Sequence, residues 1–142
     1  MKDSFFLITG IFLIAWSFYV FLQKPVNRVN QLIIGGKNIV VEIADTDATR
    51  AQGLSGRPSL ETSHGLMFIF DKPGIYGFWM KDMYFPIDII WIGKDGKVAG
   101  IERSINPDTY PRVFYPPMSI RSVLEVNVNS GIDIGDKVIW DR

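Results

Sequence analysis

Two acids sit where acids need a reason. Asp88 lies inside Ile87-Asp88-Ile89-Ile90-Trp91-Ile92, and Glu125 inside Ser122-Val123-Leu124-Glu125-Val126. A carboxylate in such apolar company loses hydration worth several kcal/mol, so Asp88 must reach water, a cation or backbone donors. Lys81, Arg50, Arg57 and Arg121 are the candidate cations. Two readings stand beside each other: a structural ion pair or turn-capping carboxylate, and a polar anchor in a ligand pocket. Glu125 poses the same choice. If both acids faced one cleft, they would form an acid–base or hard-metal pair. Their separation along the chain does not decide this.

Three further clusters carry chemistry. Phe78-Trp79-Met80-Lys81-Asp82 alternates aromatic and apolar residues and ends in charge. As a strand it would pack Phe78 and Met80 inward, with Trp79 on the other face. An exposed Trp79 beside Lys81 would instead stack a sugar ring or another flat ligand. Gly53-Leu54-Ser55-Gly56-Arg57 offers flexible backbone, a hydroxyl and a guanidinium, the parts of an anion cradle. It lacks the lysine and spacing of a P-loop, and its glycines also serve turns. His64 is the only histidine and has no Ser-His-Asp context, so it reads as a loop residue rather than a general base. Cysteine is absent, which removes thiol nucleophiles, thiolate zinc sites and disulfides together. No catalytic residue, metal site or cofactor is assigned. Arg57, Trp79, Lys81, Asp88 and Glu125 are the candidate ligand-binding residues.

The elements that must position them follow from turn chemistry and alternation. Residues 31–34 and 39–43 flank Gly35-Gly36-Lys37-Asn38, a hairpin signal. Thr46 can cap a short helix over residues 47–52, with Asp47 favouring its N-terminal dipole and Gly53 ending it. Residues 54–63 form a turn-rich connection. Strands are expected at 66–70, closed by Asp71-Lys72-Pro73-Gly74, and at 76–80, 87–92 and 97–103. The last two are joined by Gly93-Lys94-Asp95-Gly96, the clearest hairpin in the chain. Residues 106–117 hold Pro107, Pro111, Pro116 and Pro117 and must be irregular. Strands at 120–128 and 137–140 complete the count. Seven or eight short strands with one small helix predict a mainly β (minor α+β) fold, a mixed and mostly antiparallel sheet or partly closed barrel.

Ahead of this domain, residues 5–22 are eighteen uncharged residues, enough helix to span ~27 Å and so a bilayer core. Trp16, Tyr19, Lys24 and Arg28 stand where interface residues belong, and no small-residue cleavage site follows. Residues 1–28 are therefore expected to be an uncleaved single-pass anchor with linker, contacting membrane lipid through residues 5–22, and residues 29–142 one domain. The 142-residue chain has fifteen Lys plus Arg and fifteen Asp plus Glu. Taking away residues 1–22, with Lys2 and Asp3, leaves fourteen of each. That balance lacks the basic footprint of a general nucleic-acid binder.

The blocks Arg50-Ala51-Gln52-Gly53-Leu54-Ser55-Gly56-Arg57, Gly65-Leu66-Met67-Phe68-Ile69-Phe70, Phe78-Trp79-Met80-Lys81-Asp82, Pro86-Ile87-Asp88-Ile89, Ser122-Val123-Leu124-Glu125-Val126 and Gly135-Asp136 occur in this order. The sequence thereby resembles the domain of unknown function 192 family, also grouped as uncharacterised protein family 0127, over about residues 39–140. The resemblance implies a small β-rich fold without established activity, in members that are often exported or membrane-attached. Lys2 and Asp3 on one side of the run and Lys24 and Arg28 on the other leave its orientation open, mildly disfavouring export, and the resemblance tips the expectation to a domain outside the cytoplasm. Asp82 departs from the asparagine usual in the family, and the cysteines many members carry in the segment matching 106–117 are missing. The leading expectation is a non-enzymatic, membrane-anchored extracytoplasmic binding or accessory domain with a small-molecule or glycan ligand and an unknown protein partner. Its alternatives are an acid–base hydrolase or lyase acting on an envelope polysaccharide through Asp88 and Glu125, and a structural partner of another membrane protein.

Overall fold

Gly35 and Gly36 both take positive φ (+56° and +73°), the geometry a two-residue hairpin turn needs, and join β1 (Val29–Ile34) to β2 (Lys37–Ala44). The computed structural model describes residues 29–141. The expected anchor helix at 5–22 lies outside them. Among the described residues no helix is long and apolar enough to cross a membrane. Thr46 caps α1 (Asp47–Gln52) as expected: its Oγ1 accepts from the Thr49 N–H at 3.1 Å, and Thr49 Oγ1 accepts from the Thr46 N–H at 3.0 Å. This is a capping box built with threonine in the place usually held by Glu or Gln. Gly53, at φ +51°, ends the helix and returns its N–H to the Thr49 carbonyl.

The remaining strands are β3 (His64–Gly74), β4 (Ile87–Ile92), β5 (Val98–Ile105), β6 (Ile120–Asn127) and β7 (Val138–Asp141). They form one sheet in the order β5-β4-β6-β3-β2-β1-β7. Only β2 and β3 pair in parallel; every other neighbouring pair is antiparallel. The outer strands β5 and β7 meet at one corner, where Val98 N–H donates to the Asp136 carbonyl (2.9 Å) and Val138 N–H to that of Gly96 (2.8 Å). The sheet is thus a curled half-barrel, in agreement with the mixed, mostly antiparallel expectation.

Three details differ from the sequence reading, the first being that His64, expected in a loop, opens β3. Residues 71–74 do not close β3; the strand continues through them, with a register irregularity between Ile69 and Gly74. Residues 76–80 are not a strand of the sheet. They touch residue 114 through a single bridge, in which Phe78 and Phe114 exchange N–H···O bonds of 2.9 and 2.8 Å. The alternation was real, for Phe78 and Met80 are buried and Trp79 is exposed. It records a loop lying flat on the sheet's face rather than a ladder within it.

Each face of the sheet has its own core. On one, Leu32, Ile34, Val41, Met67, Ile90 and Leu124 pack with Ile132 inside the curl. On the other, Leu66, Phe68, Ile89, Trp91 and Val123 are covered by Leu54, Phe78, Met80 and Phe114 from the connections. The parallel β2–β3 pair requires a crossover between them, and residues 45–63 supply it. That crossover, with the loops at 75–86 and 106–119, builds the outer layer. Phe78 fastens it, its ring edge-on to Phe68 (4.8 Å) and Trp91 (5.4 Å).

Candidate functional site

Register decides which face each acid occupies. Ile89 pairs with Glu125 and Asp88 with Val126, so the two acids project from opposite faces of the sheet. They cannot converge on one substrate, and the expectation of an Asp88–Glu125 acid–base or metal pair is corrected on that ground. Among the described residues no group of three or more metal-ligating side chains is assembled.

Asp88 is 1% exposed and fully occupied. Its Oδ1 accepts from the Ser104 N–H (2.8 Å), and its Oδ2 from the N–H (3.2 Å) and hydroxyl (2.9 Å) of Ser130. None of Lys81, Arg50, Arg57 and Arg121 partners it; backbone donors and a hydroxyl do. The turn-capping reading describes its geometry.

Glu125 is different. It is 5% exposed, and its Oε2 is buried with no hydrogen-bond partner among the described residues. Desolvation by burial pushes its carboxyl up to about 8, against a smaller downward pull from the Arg57 guanidinium. It lines a cleft of about 500 Å³ with Leu54, Phe68, Phe78, Trp79 and Lys81. α1 and the residues after it form one wall, and the 76–83 loop the other. Trp79 is 51% exposed, and the Lys81 ammonium stands 5.9 Å from the centre of its ring. Arg50 also lines the cleft, but its guanidinium is tied to Asp47 (2.7 Å) and to the Asp45 and Ile69 carbonyls (2.7 and 2.8 Å). Lys81 makes no ion pair among the described residues. The cleft therefore combines aromatic and aliphatic walls, an unsatisfied acid and an available cation, the composition of a small-molecule site.

Arg57 reaches this site from behind. It grips Glu42 in a two-pronged pair (2.6 and 2.9 Å) and lines a neighbouring cleft of about 350 Å³ that also contains His64. Glu42 and Glu125 flank Leu66 in one row across β2, β3 and β6, so Arg57 bears on both acids. Its glycine-rich surroundings serve the crossover instead: Gly56 N–H donates to the Asp82 carbonyl and Ser55 Oγ to that of Lys81. These bonds lock the two walls of the cleft together. Replacing Arg57 with alanine should remove the downward pull on Glu125 and raise its carboxyl titration further. Carbon-13 NMR of the labelled side chain would read that; an unmoved or lowered midpoint would refute the coupling. The stability loss expected from the partly buried Arg57–Glu42 pair is about 1 kcal/mol.

The structure thus brings Trp79, Lys81 and Glu125 together, sets Arg57 behind them and places Asp88 on the far face. The sequence reading passed over Glu42, although it too is a carboxylate in an apolar strand. It also passed over Tyr110, whose ring lies edge-on to Trp79 at 5.7 Å.

Comparison with known proteins gives fold and family. A crystal structure from Sinorhizobium meliloti 1021, described as that of a proposed transcription regulator, superposes with a TM-score of 0.77 at 24% identity, covering 82% of this chain and 97% of that one. At that identity the likeness concerns the fold alone. A protein of unknown function from Novosphingobium aromaticivorans DSM 12444 gives a TM-score of 0.75 at 31% identity, covering 82% of this chain and 90% of its own. No curated protein matches the sequence. The family model DUF192, Uncharacterized ACR, matches residues 30–140.

Proposed function

The chain belongs to the DUF192 family, a group of uncharacterised proteins, and from that premise we propose that its domain is a non-enzymatic binding module whose ligand enters the cleft of Trp79, Lys81 and Glu125. The observation that carries this reading is the buried Oε2 of Glu125 on the cleft wall, which has no hydrogen-bond partner among the described residues. Leaving such an atom without a partner costs about 1–3 kcal/mol, which a ligand offering a hydrogen bond would recover. The second acid lining the cleft, Asp47, is already held by Arg50, which favours binding over acid–base hydrolysis.

The proposed setting is the outer surface of a membrane, with residues 5–22 as the lipid-held anchor and the domain outside the cytoplasm. The uncharged run and its interfacial Trp16, Tyr19, Lys24 and Arg28 support the anchor, while the outward placement rests on the family resemblance, against a mild positive-inside bias from Lys24 and Arg28. The balanced charge speaks against nucleic acid as the partner.

Thermal-shift screening of the full chain against small organic acids, amines and sugars tests the reading. At a hundredfold excess over Kd, a true ligand should raise the melting temperature on the order of 5–10 °C. That rise should disappear in Trp79→Ala and shrink in Glu125→Gln. Hits indifferent to both variants, or a screen with no hits, would defeat the proposal.

A further inference from the structure

The cleft does not end at Trp79. The 75–79 and 110–115 segments run antiparallel around the Phe78–Phe114 bridge, so the alternation that buries those two rings turns Trp79, Val113 and Tyr115 outward. Gly77, which lines the cleft, lies beneath the last two: a Cβ there would meet Val113 Cγ1 at 2.6 Å and Tyr115 Cε1 at 2.8 Å. Trp79 (51% exposed) and Tyr110 (44%), edge-on to each other, and Tyr115 (58%), standing over the cleft residue Gly77, therefore form an aromatic shelf of exposed rings around the cleft mouth.

We infer that cleft and shelf form one extended site for an acidic oligosaccharide, its end unit bonded to Glu125 and its following units stacked on Trp79, Tyr110 and Tyr115. The inference rests on the Glu125 cleft being a ligand site and adds the class of ligand. Three observations select that class. First, an apolar partner would cover Glu125 and Lys81 without satisfying either. A proline-rich peptide would stack on the same rings, but its prolines bring no N–H to the buried acid. Second, a sugar hydroxyl both donates and accepts, so it matches Glu125 whether the acid is neutral or ionised. Sugar rings also present C–H faces to aromatic side chains while their edges stay polar, as a half-exposed shelf requires. Third, Lys81 is an exposed cation beside Trp79 with no ion pair among the described residues, and a sugar carboxylate would supply one.

The test is calorimetric titration of the full chain with galacturonate, mannuronate and glucuronate oligomers of one to four units, with neutral cello-oligosaccharides of the same lengths alongside. At least one uronate series should gain about tenfold in affinity or more from monomer to trimer. Tyr115→Ala should reduce that gain, and Lys81→Ala should erase the preference over the neutral series. Because Tyr115 lies on the surface, its variant keeps the test clear of folding defects. If monomers bind through Glu125 but length brings no gain, the extended site is wrong and the cleft remains a ligand site. Equal affinity for neutral and acidic series removes the acidic assignment. No binding by any oligomer, or binding of a proline-rich peptide that Tyr115→Ala abolishes, overturns the inference.

Discussion

Replacing Asp88 with alanine is expected to lower the unfolding free energy by about 3–5 kcal/mol, the loss characteristic of breaking a buried, charge-assisted network from one side. Asp88 sits in the middle layer of the sheet, on a strand whose six residues are all buried. One of its oxygens holds the N–H of Ser104, a residue at φ +52° near the end of β5. There the β4–β5 register slips, from Ile89 opposite Glu102 to Ile87 opposite Ile105. The other oxygen holds Ser130 in the loop that leads from β6 to β7. A single carboxylate therefore secures a bulge and a long connection, and alanine would strand both N–H donors at once. Asparagine should cost less, about 2 kcal/mol, because one acceptor survives while the amide nitrogen faces a donor. Urea denaturation with an unchanged m-value would measure both. A Asp88→Ala loss within 0.5 kcal/mol, on the order of an ordinary surface substitution, would mean that solvent replaces the carboxylate. Since Asp88 lies on the face away from the cleft, variants that remain folded should bind ligand as the parent does.

What could be read in advance divides along a physical line. Thr46, Gly53, the Gly35-Gly36 pair and the Asp95-Gly96 turn act through their own backbone neighbours, so each was legible. The two acids were legible as anomalies, but their roles were not. A pairing of Ile89 with Glu125 sends Asp88 to one face and Glu125 to the other, and a slip of one residue would have put them together. Nothing local specifies that register. Asp88's partners lie 16 and 42 residues away, one at a bulge and one in a loop, and neither position announces itself by composition. The outward turn of Trp79 was visible in the alternation around it. Its continuation through Tyr110 and Tyr115 was hidden, because a proline-rich segment has no period from which to infer a face.

Glu125 gives the second large effect, and its sign runs opposite to that of most carboxylates. With its carboxyl raised to about 8 from an ordinary value of 4.5, the folded protein keeps a proton that the unfolded chain has released across that interval. The native state then binds more protons than the unfolded one, so stability falls as pH rises, by at most about 1.4 kcal/mol per unit. Glu125→Gln has nearly the same shape and cannot ionise. Its stability relative to the parent should be flat below about 4.5, climb between about 4.5 and about 8, and level off above, with a total gain of at most about 5 kcal/mol. Denaturation of both proteins across that range isolates this group, because every other carboxylate cancels in the difference. A flat difference, or a parent more stable than the variant in alkali, would mean that Arg57 holds Glu125 as an ordinary ion pair. The same profile separates ligand chemistries. A hydroxyl bonds to either form of the acid, so neutral-saccharide affinity should change little across the titration, whereas a uronate should bind less well as Glu125 ionises. An amine ligand would need the carboxylate and bind increasingly well towards pH values above about 8.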